Sequence, residues 1–306
     1  MENTSIVIVS YNGMQWIKKC IESALNQSIG IKIIVVDNNS IDGTVSFVKK
    51  EFPQVVLLEQ TKNLGFGAAN NIGISYALKN NTSYVFLLNQ DAYLEFNTID
   101  KLIVVSKNNP EFGILSPIHL NGDGSKVDNN FSKYIKVNET LFYDALKNDF
   151  LKAIYTVPFV NAAGWLLPKK TLETIGGFDP LFYHYAEDDN YCQRALFHDY
   201  KIGVVPSCYI KHDREFRKPK KVINNNDKII LRERYLKLKW ANINQEVEAE
   251  ILINKRKLKT YIPKLVIKFK FNKAKYCLRE LNLINKIIPE INKSRKLNKI
   301  KGKHYI

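Results

Sequence analysis

The residues Ser83-Tyr84-Val85-Phe86-Leu87-Leu88-Asn89-Gln90-Asp91 constrain this chain more than any other stretch. Five apolar or aromatic residues are followed at once by Asn-Gln-Asp, the pattern of a buried strand that ends by presenting polar side chains. Three earlier segments end in the same way. Ser5–Val9 runs into Ser10-Tyr11-Asn12-Gly13, and Ile31–Val36 runs into Asp37-Asn38-Asn39-Ser40. Val55–Leu58 is followed by Asn63-Leu64-Gly65-Phe66-Gly67. Between these runs the apolar residues recur at helical spacing, as in Trp16, Ile17, Cys20, Ile21, Ala24 and Leu25, and again over Asp42–Lys50 and Gly67–Lys79. Apolar strands alternating with helices predict an α/β fold with a mostly parallel central sheet covered on both faces. Ligands of such sheets bind beyond the carboxyl ends of the strands. One Asp there is a helix cap; four polar clusters at one edge read as a site.

The residue types at that edge suit a nucleotide. Tyr11 offers an aromatic face for a base, and Asp37 offers a carboxylate that accepts from base or ribose. Gly65 allows close approach, and Asp91 offers an oxygen ligand for a hard divalent cation on a diphosphate. Gly65-Phe66-Gly67-Ala68-Ala69-Asn70 imitates a dinucleotide fingerprint. It follows the third strand, however, and lacks the third small residue, which argues against an NAD site.

The next region is less regular. A helix is expected near Asn97–Lys107, a short strand near Phe112–Leu115, and a surface loop over the polar stretch Asn121–Asn130. Val157–Leu167 reads as a strand lining a pocket through Asn161, Ala162 and Ala163, with Trp165 available either as a sugar-stacking face or as core. Gly176-Gly177-Phe178-Asp179 is a turn. It leads to Phe182-Tyr183-His184-Tyr185 and then to Glu187, Asp188 and Asp189 at the head of a helix. Acids suit a helix N-terminus for dipole reasons alone, yet a partly desolvated carboxylate there can also serve as a general base. Short strands are expected at Ile202–Val205 and Cys208–His212, the second ending on His212, a metal-ligand type that favours Mn²⁺ over Mg²⁺.

Charge divides the chain. Residues 1–213 carry 19 Lys and Arg against 22 Asp and Glu, a net of −3, whereas residues 214–306 carry 27 against 8, a net of +19. A basic third of this kind implies a polyanionic partner. The four cysteines, Cys20, Cys192, Cys208 and Cys277, show no paired spacing, so neither a disulfide framework nor a zinc site is expected, in keeping with a reducing compartment. The N-terminus shows no basic segment or signal-length apolar stretch, and no apolar run approaches the ~20 residues of a membrane span. A cytoplasmic protein is expected.

Taken in order, these pieces resemble the inverting glycosyltransferases of family 2, which have the GT-A fold. The matching residues are Ser10-Tyr11-Asn12, Val35–Thr44, Asn63–Gly67 with Asn70, Leu87–Asp91, Gly176–Asp179, Glu187-Asp188 with Arg194, and His212, with a weaker match over Arg232–Asn242. The resemblance implies that Ser10, Tyr11, Asn12, Asp37, Asn39, Asn63, Gly65 and Asn70 bind a nucleotide sugar together with Asn89, Gln90 and Asp91. It implies that Asp91 and His212 hold Mn²⁺ or Mg²⁺, that Asp188 is the general base with Glu187 as runner-up, and that Arg194 joins Asn161, Ala162, Ala163 and Trp165 around the sugars. The implied donor is a UDP- or dTDP-sugar and the implied acceptor a glycan or lipid-linked saccharide of polysaccharide biosynthesis. Asn89 stands where the family's metal motif usually opens with Asp, and Asn190 stands where a further Asp is common.

Residues 1–213 are thus expected to form the catalytic domain, with a nucleotide-sugar half over 1–95 and an acceptor half over 96–213. Residues 214–306 are expected to be a basic, mostly helical region. Asp227–Ile243 reads as an amphipathic helix packing on the catalytic unit, and Lys264–Phe271 alternates basic and apolar residues as an interfacial segment on anionic lipid would. Two competing classes remain at this point. A sugar-nucleotide-binding homologue without activity would explain Asn89 and Asn190. A nucleic-acid-binding protein would explain the basic region but leaves the acidic site unexplained, and the region lacks a reader motif, so no nucleic-acid partner is expected.

Overall fold

A computed structural model of the chain describes residues 3–214 and 224–306. These fall into two compact units, one formed by 3–214 together with Lys301–Ile306, the other by 224–300. The first unit opens with β1 (Thr4–Ser10), α1 (Ile17–Leu25), β2 (Lys32–Asp37), α2 (Thr44–Glu51), β3 (Val56–Glu59), α3 (Phe66–Lys79) and β4 (Tyr84–Asn89). It continues through β5 (Ala92–Leu94), α4 (Thr98–Asn108), β6 (Phe112–Asn121), α5 (Phe131–Ile135) and α6 (Glu139–Lys147). The last elements before residue 214 are β7 (Tyr155–Thr156), β8 (Gly164–Pro168), α7 (Lys169–Ile175), α8 (Glu187–Phe197) and β9 (Lys201–His212).

One sheet holds all these strands in the order β3-β2-β1-β4-β8-β6-β9-β5, with β7 paired to β9. β1 runs parallel to β2 and β4, and β2 runs parallel to β3. The apolar runs are continuous because both faces are covered. Along β1, Ile6 and Ile8 enter a layer with Ile17, Ile21 and Ile99, while Val7 enters the opposite layer with Ala69, Ile74 and Trp165. The register sets Ser10 beside Asp37 and Val9 beside Asn89, so the three strand ends are level at one edge.

The second half of the sheet departs from the sequence expectations. β8 joins antiparallel to β4 and begins only at Gly164, leaving 157–163 outside the strand. The strand expected at Phe112–Leu115 extends to Asn121. The strands expected at Ile202–Val205 and Cys208–His212 are a single β9, which lies parallel to β6 and slips register between Val205 and Tyr209. Pro206 sits in that slip, where a residue without an N–H costs no ladder bond. The polar stretch Asn121–Asn130 is not all surface loop. Asp128 is buried, accepts from the amides of Asn130 and Phe131, and starts α5.

The second unit is helical: α9 (Asn225–Trp240), α10 (Glu248–Ile267) and α11 (Phe271–Asn298). The Asn224 side chain and Asp227 form a reciprocal capping box at the start of α9. The helix expected over Asp227–Ile243 belongs to this unit, where Arg232 Nε meets Glu280 Oε1 at 2.6 Å and Lys237 reaches Glu290 at 3.4 Å, both on α11. Arg295 of α11 donates to the carbonyls of Trp240, Asn242 and Gln245, closing the turn after α9. Among the described residues no helix is long and apolar enough to cross a membrane.

The last six residues belong to the first unit and not to the basic helical region. Gly302 N donates to Thr174 O and Gly177 N donates to His304 O, both at 2.8 Å, and Lys303 pairs with Glu173 at 3.1 Å. Gly176 has φ +74, and a Cβ there would meet the His304 carbonyl oxygen at 2.1 Å, so the close approach demands glycine.

Candidate active site

Side chains from the loops after β1, β2 and β4 bond one another, so the level strand ends become one rigid edge. Gln90 Oε1 accepts from Tyr11 N at 2.9 Å and from Ser10 Oγ at 3.1 Å, and Gln90 Nε2 donates to Tyr11 O at 3.2 Å. Asn12, at φ 47, accepts from Ile41 N at 2.9 Å, and its own amide donates to Ser40 Oγ at 2.9 Å. Asn38 holds the next loop through three contacts: its Nδ2 reaches Asn63 Oδ1 at 3.0 Å and Gly65 O at 3.3 Å, and its Oδ1 accepts from Leu64 N at 2.8 Å. Asn38 stands within the family-like motif, but the sequence does not distinguish it, because nothing in a run of Asn residues marks which one points inward. Asn39 is the exposed neighbour, at φ 69.

Asp37 is buried. One carboxylate oxygen accepts from Ser40 N at 2.9 Å, and the other has no hydrogen-bond partner. Tyr11 is 45% exposed and follows Ser10, the register partner of Asp37, on the loop that Gln90 clamps. Asn63 Oδ1 also accepts from Gly65 N at 2.9 Å. Gly65 lies at φ +83, and a Cβ there would run into the Tyr183 carbonyl oxygen, so the glycine lets the aromatic lead-in to α8 pack against the start of α3. Asn70 is occupied elsewhere: it is buried and donates to Phe66 O within its own helix.

The chain beyond Asn89 leaves the middle of the sheet and adds β5 to β9, pairing Ala92 with His212. That crossing puts Asp91 Oδ1 at 3.3 Å from His212 Nε2, with both side chains nearly inaccessible. Asn89 Nδ2 lies 3.5 Å from the same ring nitrogen, and Arg214 Nε donates to it at 3.2 Å. In this arrangement the single lone pair of Nε2 accepts from Arg214. His212 Nε2 and Asp91 Oδ1 are a nitrogen and an oxygen donor side by side in a buried site, and such a pair fits a cation that would replace the Arg214 contact on the ring and take further oxygens from a diphosphate and water. Among the described residues there is no cluster of three or more His, Cys, Asp or Glu side chains that would form a complete cage, so the donor set fits a cation shared with a substrate. Burial lowers the His212 pKa, with Asp91 opposing that shift.

His119 lies behind His212, ring edge to face at 6.1 Å, stacked on Phe131 and bonded to Ser116 Oγ at 3.0 Å. Burial, with His212 and Arg214 nearby, drives its pKa well down and keeps the ring neutral. A lone His inside an apolar strand gives no sequence signal for such a place.

The acids occupy the first turn of α8. Tyr185 and Ala186 precede them at φ 66 and φ 72, two consecutive left-handed residues that are not glycine. Each such residue costs of order 1–2 kcal/mol and persists only where surrounding structure enforces it. Asp188 Oδ1 accepts from Asp189 N at 3.0 Å, and the Ala162 amide also bonds this carboxylate. Asp188 keeps part of its surface open but is densely packed. Burial raises its pKa, while the two amides and the Arg214 charge oppose the rise. Burial and the adjacent Asp188 push Asp189 up to about 7. Glu187 is buried.

Two expected pocket residues lie elsewhere. Trp165 is fully buried, stacked on Phe178 at 6.1 Å and against Tyr191 at 5.7 Å, because its strand position points into the layer under α8; it is core and offers no sugar face. Arg194 is also buried and donates to Gly177 O and Ile175 O, with Tyr191 and Tyr305 rings at 5.2 and 5.4 Å. It fixes the turn between α7 and α8. Asn161, Ala162 and Ala163 do reach the site's edge: Ala163 O accepts from Asn89 N at 3.1 Å, and Asn161 adjoins His119. Ahead of α8, Tyr183 and Tyr185 are exposed, 62% and 43% accessible.

Comparison with known proteins identifies the family. The model of the family described as Glycosyl transferase family 2 matches residues 5–176. Over 212 residues, 66% of this chain, it is 27% identical to 45% of the minor teichoic acid biosynthesis protein GgaA of Bacillus subtilis (strain 168). Over the same share it is 26% identical to 64% of the low-salt glycan biosynthesis hexosyltransferase Agl10 of Haloferax volcanii. It is 24% identical over 231 residues, 68% of this chain and 75% of the relative, to an N-acetylglucosaminyl-diphospho-decaprenol L-rhamnosyltransferase of Mycobacterium tuberculosis. The matches thus span about half to two-thirds of the first two relatives. Among solved structures, a crystal structure of GalNAc-T7 with UDP, GalNAc and Mn²⁺ matches with a TM-score of 0.55 and 13% identity, over 78% of this chain and 50% of that one. That likeness concerns the fold, the GT-A arrangement. With the family model covering more than half of its residues, the chain belongs to glycosyl transferase family 2.

Proposed function

We propose that this chain transfers a sugar from a nucleoside-diphosphate donor to a hydroxyl of a glycan or lipid-linked saccharide, with inversion at the anomeric carbon. The observation that carries the reading is the buried Asp91–His212 pair, in contact at 3.3 Å with Arg214 beside it, at the edge where Asp37 keeps a buried, unpartnered oxygen. Asp37 accepts from the base or ribose, Tyr11 lies along the base, and the laced loops around Asn12, Asn39, Asn63 and Gly65 hold the nucleotide. Asp91 and His212 would hold Mn²⁺ or Mg²⁺, which, when bound, neutralises charge growing on the leaving diphosphate. Arg214 donates to the same phosphates. Asp188 accepts the proton of the acceptor hydroxyl as its oxygen forms the new bond to the anomeric carbon. The bond to the diphosphate oxygen breaks on the opposite face, and the carboxylate's raised pKa suits it to that transfer. Tyr183 and Tyr185 supply the exposed aromatic rim for acceptor sugars that Trp165 does not.

The similarity to proteins named for teichoic acid, glycan and decaprenol-linked saccharide synthesis supports an acceptor of the polysaccharide class. A UDP- or dTDP-sugar donor, a cytoplasmic location and attachment to the inner membrane surface complete the proposal. The test is a panel of UDP-, dTDP- and GDP-sugars with Mn²⁺ or Mg²⁺, reading nucleoside diphosphate release with and without lipid-linked acceptors. Release from one donor, abolished by EDTA and by Asp91→Ala, is the expected result. A second reading, a binding protein without turnover, is favoured by Asn89 and Asn190, the latter buried with neither amide atom partnered. Nucleotide binding without release across the whole panel would establish it instead.

A further inference from the structure

The α10–α11 hairpin of the second unit is strongly polarised along its length. Between Ile251 and Arg279 there are ten Lys and Arg and not one Asp or Glu. The acids of the two helices stand away from the turn, at Glu248, Glu250, Glu280 and Glu290. Cationic residues therefore surround the turn Lys268–Lys270 from both sides. Leu265, Ala274 and Cys277 pack inward there, with Leu258 and Ile262 against them, and close the hairpin.

The same turn leaves large apolar side chains in water. Ile267, Phe269 and Phe271 are 75%, 81% and 58% exposed, and the two phenylalanine rings meet edge to face at 6.1 Å. Phe269 terminates α10 at φ 54, with its amide on Val266 O and the Lys270 amide on Leu265 O, both at 2.9 Å. Glycine is the residue that adopts this conformation without steric cost. A bulky aromatic held there and turned to solvent is a local outlier of the kind found at functional positions.

We propose that this tip, Val266–Phe271, inserts into the interfacial region of an anionic lipid bilayer. Phe269, Phe271 and Ile267 enter the headgroup–acyl boundary, and the surrounding lysines lie against the lipid phosphates. Charge complementarity selects the partner: ten cations without an acid match a continuous anionic surface. The apolar tip selects a bilayer over a nucleic acid, because Ile267 and Val266 have no stacking face and gain nothing from a phosphate backbone, whereas hydrocarbon at the interface rewards their burial. The inference deepens the membrane part of the proposed function by naming the segment that docks. It concerns the second unit alone and stands or falls separately from sugar transfer.

The full chain would be tested by co-sedimentation with vesicles of phosphatidylcholine alone and with about one-third phosphatidylglycerol, at low and physiological salt. The wild type binds the anionic vesicles at least about tenfold more tightly, and salt weakens the binding. Phe269→Ala with Phe271→Ala lowers partition into anionic vesicles by roughly tenfold or more. Replacing Lys264, Lys268, Lys270 and Lys273 by Gln removes the preference for anionic over neutral vesicles. Phe269→Trp reports the location directly, its emission shifting to the blue on anionic vesicles and being quenched by brominated acyl chains. Unchanged binding by the double phenylalanine variant overturns the proposal, as does a tryptophan at position 269 whose emission stays that of an indole in water. Salt-sensitive binding of single-stranded RNA with no vesicle partition likewise overturns it, in favour of a nucleic-acid partner. Nucleoside diphosphate release with a soluble acceptor is the same for the double variant and the wild type. Loss of vesicle binding with retained release therefore separates this inference from the transferase reading.

Discussion

The two halves of the central sheet supply the site by different means. In the parallel half, from β1 to β4, each strand carries its own chemistry to its carboxyl end, so Ser10, Asp37 and Asn89 are level because the register makes them so. In the mixed half the candidate groups come from places that share no pattern: the end of β9 for His212 with Arg214 two residues on, the first turn of α8 for Asp188, the last residues of β6 for His119. The first half presents neutral amides and one orphan carboxylate oxygen, and in the proposed reading it binds the nucleotide. The second concentrates buried charge: an Asp–His pair, an arginine and two carboxylates with raised pKa. A fold of this kind keeps recognition on the regular scaffold and places reactivity where long-range topology gathers it.

The comparison predicts a division between affinity and turnover. Asp188→Asn lowers kcat by about 10²–10⁴-fold, as expected for loss of a general base, and leaves nucleotide binding by calorimetry unchanged. Asp37→Asn weakens nucleotide affinity by roughly 10- to 100-fold, the scale of one hydrogen bond to a charged group, with a smaller effect on turnover at saturating donor. If Asp188→Asn weakened binding and Asp37→Asn chiefly slowed turnover, the assignment of roles to the two halves would be reversed.

The raised carboxylates sharpen the same contrast through pH. A base must be ionised to act, so transfer rises with pH above the ordinary carboxylate range as Asp188, its pKa raised by burial, loses its proton beside Asp189, which is held at about 7. Stability runs the other way. A carboxylate whose folded pKa lies above its unfolded one binds its proton more tightly in the folded state. These two acids therefore favour the folded state most below the ordinary carboxylate range, and that support is lost as pH climbs through their raised values, about 7 for Asp189. Asp188→Asn is accordingly expected to melt higher than wild type at pH 8, by roughly 2–4 °C, while the two converge at pH 4. Equal melting points at pH 8 would mean that the acids are solvated and carry no stored repulsion. The smallest effect belongs to Ala186→Gly, which relaxes the left-handed residue before α8 and stabilises by about 0.5–1 kcal/mol in chemical denaturation.

The parallel half was legible because burial on both faces forces uninterrupted apolar strands, and their ends are marked by an abrupt change to Asn, Asp and Gly. Asp37, Asp91 and Gly65 could be read from that change alone. The acids at 187–189 and His212 needed the family resemblance as well, since caps and solvated residues share their patterns. Trp165 misled because an aromatic flanked by small residues is equally a pocket wall and a core filler; the antiparallel pairing of β8 with β4 turns it inward. Arg214 and His119 left no local mark, because their value lies in what the fold brings beside them. Pro206 reads as a break, but a register slip lets one strand pass through it. Lys301–Ile306 carries no periodicity, and only tertiary structure shows where it docks.

That docking segment sets an order on the making of the protein. Gly177 is part of the turn that leads to α8, and its amide finds its acceptor on His304, which leaves the ribosome only after the whole helical unit between them. During synthesis the first unit therefore keeps the turn before α8 without its His304 acceptor until the helices of the second unit have been made.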